Sequence, residues 1–218
     1  MTASRKLFIE GPVGRLEAAL RTADDPKATV AIAHPHPLYG GTLHNPVIFH
    51  VDRELNRIGL TTLRFNFRDV EGSEGVHDDG RGEVGDLAAA SRWVRALSPG
   101  RPHLLVGYSF GAQCAAAQAL ADQNVSGLIA IGLPVRLWPF DALSRLGRPL
   151  AVIQGTDDEF GSIEEVEAVL AATAPRGELL PVAASKHLFP GRAPEVARLV
   201  VEAAERMLQA LGTPSASR

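Results

Sequence analysis

The stretch that most constrains this chain is His103-Leu-Leu-Val-Gly107-Tyr-Ser109-Phe-Gly111, followed by Ala-Gln-Cys-Ala-Ala-Ala-Gln-Ala-Leu. The apolar run Leu104 to Val106 reads as a buried strand, and the alanine-rich run from Ala112 to Ala121 reads as a helix. Between them stands Gly107-x-Ser109-x-Gly111. A serine on so sharp a strand-to-helix turn takes strained φ/ψ and pushes its hydroxyl clear of the sheet, and neighbouring backbone requires small flanking residues. The helix begins at the serine, so its first N–H groups face any anion formed there. That arrangement points to an activated serine nucleophile. The competing reading is a Gly-rich turn with an N-capping serine.

A chain of 218 residues can bury a sizeable core, and it shows neither an internal repeat nor a linker-like shift in composition. One domain over residues 1–218 is expected, with 212–218 as a frayed tail. The net charge of −3 comes from interspersed acidic and basic residues, which argues against a nucleic-acid surface. A lone cysteine, Cys114, excludes an intramolecular disulfide and reads as a small core residue. Met1 to Gly11 lacks the apolar run of a secretory signal, and no stretch approaches the length of a membrane span. A soluble, cytoplasmic protein with no membrane partner is the expectation, its oligomeric state open.

Taken in order, Lys6–Glu10 and Arg15–Thr22 flank a hairpin turn at Gly11-Pro12-Val13-Gly14. Thr29–Ala33 is a strand ending in His34-Pro-His36-Pro-Leu38-Tyr39-Gly-Gly41. Asn45-Pro46 caps a helix carrying Val47, Val51, Leu55 and Ile58, which Gly59 closes. Leu60–Phe67 reads as a strand, Gly72–Gly85 as a polar, Gly-rich loop, and Leu87–Leu97 as a helix. Strands follow at Val125–Leu133, Pro149–Ile153 and Glu178–Val182. A capping box at Ser162-x-x-Glu165 opens a helix to about Ala172, and Pro194 opens a last one. Alternating strands and helices predict an α/β fold: a mostly parallel, doubly wound sheet with an antiparallel N-terminal hairpin.

Ligands of open α/β sheets bind beyond the C-terminal strand ends. The polar residues expected there are His34, His36, Ser109, Asp157, Asp158 and His187. Serine attack on a carbonyl needs a histidine as base, and the histidine needs a carboxylate to hold its tautomer. Ser109, His187 and Asp158 are the candidate catalytic residues. Asp157 competes for the acid role, but Asp158 stands three residues beyond Gly155, where the chain has left its strand. The first oxyanion donor is expected to be the backbone N–H of Phe110; because Pro35 and Pro37 have no N–H, the second is His36 or Leu38, with His36 favoured. Only about fifteen residues separate Leu133 from Pro149, too few for a helical cap. The pocket should be open, walled by Leu38, Tyr39, Pro134, Leu137, Trp138 and Leu188. Trp138 reads equally as packing on a short helix around Phe140–Leu146.

Several segments carry a resemblance: His34-Pro-His-Pro-Leu-Tyr-Gly-Gly-Thr-Leu-His-Asn45, Arg64-Phe-Asn-Phe-Arg68 with Glu71-Gly-Ser-Glu-Gly75, Gly107-Tyr-Ser-Phe-Gly111, Gln154-Gly-Thr-Asp-Asp-Glu159 and His187-Leu-Phe. Together they resemble a group of small, lid-less bacterial α/β-hydrolases, relatives of dienelactone hydrolase described as predicted esterases. The likeness runs from about residue 8 to 210. It implies an α/β-hydrolase fold without a cap, the nucleophile–acid–histidine order, the acid at Asp158 and the base at His187. Leu188 departs from the pattern, since relatives often carry an aromatic there. The resemblance implies hydrolase chemistry and names no substrate; with the triad, the expectation is a serine hydrolase acting on small ester-like substrates through an acyl-enzyme, which requires no cofactor. The same residues also serve an acyltransferase or thioesterase. Two further rivals are a non-catalytic binding module on this fold and a metal-dependent hydrolase using His34, His36, Asp157 and His187. Arg64, Arg68 and Asp86 recur in the resembling segments, and buried ion pairing is the simple expectation for them.

Overall fold

Strands of this chain differ in how their two faces are wetted, and that difference orders the sheet. Thr29–Ala33 (β3), Thr61–Phe65 (β4), His103–Tyr108 (β5), Gly127–Ile131 (β6) and Leu150–Gly155 (β7) are buried at every position. Strands buried at every position on both sides belong in a sheet covered on both faces. Arg5–Gly11 (β1) is mostly exposed or half-buried, and Glu178–Val182 (β8) carries Pro181, which cannot donate to a ladder. Both fall at edges. With Gly14–Arg21 (β2), the strands form an eight-stranded sheet in the order β1-β2-β4-β3-β5-β6-β7-β8. β2 is antiparallel to both β1 and β4, and every other pairing is parallel. This is the expected α/β architecture. It comes from a computed structural model that describes residues 3–212, so the expected tail at 213–218 lies outside the described residues, while Gly212 ends the last helix.

Helices cover both faces. Pro46–Arg57 (α1) and Ala193–Gly212 (α5) pack together on one side, over Ile32, Val106 and Ile129. Arg81–Ala96 (α2), Phe110–Ala121 (α3) and Ile163–Ala171 (α4) cover the other, over Leu63, Phe65 and Leu105. The caps form where expected. Asn45 Oδ1 accepts from Val47 N and Ile48 N, and the Ser162–Glu165 box closes reciprocally. Between β6 and β7 only a 3-10 turn, Asp141–Arg145, interrupts the loop, so no cap stands over the strand ends among the described residues.

Helix α2 begins at Arg81, within the segment expected to be loop and six residues before the expected start at Leu87. Gly82 and Gly85 lower helix propensity and hid the first turn. Their reason is packing: a Cβ at Gly82 would lie 2.0 Å from the Arg68 guanidinium, and one at Gly85 would meet Pro12 at 3.2 Å. The turn is secured by Glu83, whose carboxylate accepts from Gly80 N and Asp78 N. β4 starts one residue later than expected, at Thr61, and ends two residues earlier, because Asn66 and Phe67 leave the β3 ladder. Asn66 N donates to Glu17 O, and Phe67 N donates to His34 Nε2.

Candidate active site

Four chain segments leave the C-terminal ends of their strands close together, and among them they carry the expected residues. Ser109 follows β5 at φ 55° and ψ −113°, a left-handed backbone that costs of the order of 1–3 kcal/mol for a non-glycine residue. The surroundings hold it there. Ser109 N donates to Ile131 O at 2.8 Å, and Ser109 O accepts from Ala112 N and Gln113 N. The flanking glycines are required by contact: a Cβ at Gly107 would sit 2.2 Å from Gly111 O, and one at Gly111 would sit 2.5 Å from Ala33 O.

His187 reaches Ser109 from the loop after β8. Its Nε2 lies 2.7 Å from Ser109 Oγ, and its Nδ1 lies 2.8 and 3.0 Å from the two oxygens of Asp158. Both His187 and Asp158 are buried. With Nδ1 donating to the carboxylate, Nε2 is left as the acceptor for the serine proton. The histidine loop is pinned from several sides. Tyr108 Oη donates to His187 O at 2.9 Å, Glu159 accepts from His187 N at 3.3 Å, and the Phe160 ring meets the imidazole edge-on at 4.8 Å. Burial, and then the charges of Asp158 and Glu159, push the Tyr108 phenol above its ordinary range, so it stays a neutral donor. Sequence reasoning missed Tyr108, Glu159, Phe160 and Gln154. Tyr108 sits between the two flanking glycines of the serine turn, which was the one signal available for it.

Asp157 points elsewhere. It is exposed, its N–H donates to Ser185 O, and its carboxylate has only a long 3.5 Å contact from Thr156 Oγ1. It is a turn residue.

The loop after β3 folds as a short 3-10 turn, Pro37–Tyr39, capped by His36. His36 Nδ1 accepts from Leu38 N at 3.3 Å, so the Leu38 N–H is spent on the cap. His36 O accepts from Tyr39 N and Gly41 N, while the His36 N–H has no acceptor among the described residues, and neither does that of Phe110. The two side chains touch, with ring centroids 4.7 Å apart. His36 is held below its ordinary pKa by burial and then by neighbouring His77.

His34 is fully buried, and both its nitrogens are taken: Nδ1 donates to Pro35 O at 2.7 Å, and Nε2 accepts from Phe67 N at 3.1 Å. Burial lowers its pKa to about 4. Neither His34 nor Asp157 can therefore serve the imagined metal set as it stands, and no cluster of three or more ligand-type side chains has metal-site geometry among the described residues. Cys114 is buried in α3, and burial raises its thiol well above the ordinary value.

The arginines hold the loops that frame the site. Arg68 makes a bidentate pair with buried Asp86, at 2.9 and 2.7 Å, and ties α2 to the end of β4. Arg64 pairs with Asp52 at 3.0 Å and donates to Leu43 O at 2.6 Å, anchoring the chain just after the His36 turn. Among the expected wall residues, Leu38, Tyr39, Leu137 and Leu188 project into solvent, and Pro134 is buried. Trp138 is half-buried against Phe110, with ring centroids 6.1 Å apart, and lies before the 3-10 turn rather than on it.

The chain and its fold have counterparts among known proteins. A family model described as an alpha/beta hydrolase domain matches residues 26–195. An uncharacterised protein of Rickettsia prowazekii is 35% identical over 167 residues, which is 74% of this chain and 70% of that one. A lid-less α/β serine hydrolase from Xanthomonas campestris superposes with a TM-score of 0.85 at 33% identity, covering 98% of both chains. An α/β serine hydrolase homologue from Coxiella burnetii gives 0.82 at 35% identity, over 93% of this chain and 98% of that one. At 17% identity a ferulic-acid-bound esterase from Butyrivibrio proteoclasticus shares the fold, with a TM-score of 0.81 over 93% of this chain and 99% of that one. No helix among the described residues is long and apolar enough to cross a membrane. The family match, spanning the strand ends that carry Ser109, Asp158 and His187, shows that the chain belongs to the α/β-hydrolase domain family.

Proposed function

We propose that this protein is a serine esterase that cleaves small ester-like substrates through an acyl-enzyme. The observation that carries the reading is the unbroken relay from Ser109 Oγ through His187 to Asp158, at 2.7 and 2.8 Å. Ser109 Oγ attacks the carbonyl carbon while His187 Nε2 takes its proton. Asp158 orients the ring and balances the imidazolium. The backbone N–H groups of Phe110 and His36 stabilise the oxyanion of the tetrahedral intermediate. His187 then returns its proton to the departing alcohol, leaving acyl–Ser109. Water, deprotonated by His187, adds to the acyl carbon, and the acid leaves as the serine regains its proton. The reaction so written calls for no metal or organic cofactor. The absence of a cap leaves the relay beneath an open rim of Leu38, Tyr39 and Leu188, suited to a substrate that docks from solvent.

Covalent labelling by a fluorophosphonate tests this without knowledge of the substrate. Labelling of the wild type that disappears in Ser109→Ala and falls sharply in His187→Ala is the expected result. A folded wild type that takes no label overturns the reading.

A further inference from the structure

Asp158 accepts four contacts, and only one besides His187 comes from a side chain. Oδ1 takes Phe160 N at 2.9 Å, Oδ2 takes Gln154 Nε2 at 2.9 Å, and His187 Nδ1 bridges both oxygens. Gln154 is fully buried at the end of β7. Its Oε1 accepts from Leu133 N at 2.7 Å, and its Nε2 also donates to Gly161 O at 2.8 Å. One N–H donor and two acceptors around it leave a single orientation for the amide. The amide therefore binds three segments: the exit of β6, the carboxylate, and the loop before α4.

We infer that Gln154 is a positioning residue for the proposed triad, aiming the Asp158 carboxylate at His187 and sharing its negative charge. The inference rests on the serine-esterase reading above. A donor facing an ionised carboxylate stabilises the charged form. Removing it makes the His187–Asp158 pair hold its proton more tightly, so activity rises with pH later than in the wild type. A carboxylate in the same place adds negative charge beside the pair and moves the rise further still.

The test is the rate of fluorophosphonate labelling of wild type, Gln154→Met and Gln154→Glu between about pH 5 and about pH 9. The expected order of the acid-side midpoint is wild type, then Gln154→Met about one pH unit higher, then Gln154→Glu higher again. Maximal rate should fall about tenfold in Gln154→Met, as for a lost hydrogen bond to a charged group. A uniform loss of rate with an unmoved midpoint means a merely structural amide and overturns the inference. Thermal melting checks folding. Should Gln154→Met not fold, Gln154→Glu decides, because it keeps the side-chain volume and the acceptor for Leu133 N. An unlabelled wild type overturns the esterase reading and this inference together, whereas a labelled wild type with unmoved variants overturns this inference alone.

Discussion

The two ends of β5 each hold a serine–histidine pair, and they are not alike. Beyond its C-terminal end, His187 Nε2 lies 2.7 Å from Ser109 Oγ; at its first residue, His103 Nε2 lies 2.7 Å from Ser91 Oγ. The distances are identical. The second contacts differ: His187 Nδ1 faces the Asp158 carboxylate, and His103 Nδ1 faces the Thr29 hydroxyl at 2.8 Å. A base that takes a proton becomes an imidazolium, and only the first pair has a carboxylate hydrogen-bonded to meet that charge. Burial, and then the charge of Arg95, lower the His103 pKa to about 4. Ser91 is fully buried within α2, whereas Ser109 is half-buried at a strained turn at a strand end. Proximity of serine to histidine makes a hydrogen bond; a carboxylate and an approach path make a candidate nucleophile.

The sharpest way to break this comparison is to remove each serine. Ser109→Ala should lower ester hydrolysis by about ten-thousandfold or more, while Ser91→Ala leaves it within about twofold. Loss of activity in a folded Ser91→Ala would abolish the distinction. The partners behind the histidines come next. Asp158→Asn should cost about a thousandfold in kcat with the fold intact, because the amide favours the wrong histidine tautomer. Thr29→Val and Asp157→Asn should leave kcat nearly unchanged in the same assay.

The histidines also divide by what they do to stability. His103 and His34 both stay neutral in the folded chain down to about pH 4. In the unfolded chain they take up protons below about pH 6.5. The unfolded state thus binds more protons between these values, and stability falls as pH drops through that window. Each group contributes of the order of 3 kcal/mol, fully present near neutrality and lost towards pH 4. Urea denaturation at about pH 7 and about pH 4.5 measures it, and His103→Asn should remove part of the slope. The smallest effect expected is Ser91→Ala at neutral pH, a loss of about 1–3 kcal/mol from leaving His103 Nε2 unpaired. A urea midpoint that does not move would show that the buried pair carries no stability.

The serine turn was readable from sequence because its causes are local. An apolar run, two glycines around a serine and an alanine-rich run impose strand, sharp turn and helix within about twenty residues. The hairpin at Gly11–Gly14, the Asn45 and Ser162 caps and the strand Glu178–Val182 were legible for the same reason. The first turn of α2 was not, since its glycines read as loop until Arg68 and Pro12 are seen to fill their place. The choice between Asp157 and Asp158 could be argued from one residue of offset, but it becomes a distance only when the 155–161 turn meets a histidine 29 residues further on.

The sequence alone therefore determined the order of strands and helices, the strained serine and the set of side chains able to gather at the strand ends. The tertiary structure decided which of them meet. It put Gln154 on Asp158, closed Tyr108 onto the carbonyl of His187 79 residues away, and joined His103 to Thr29 and Ser91. Those pairings depend on the parallel crossovers that lay distant strand ends side by side, and no local periodicity encodes which side chains a crossover will bring together.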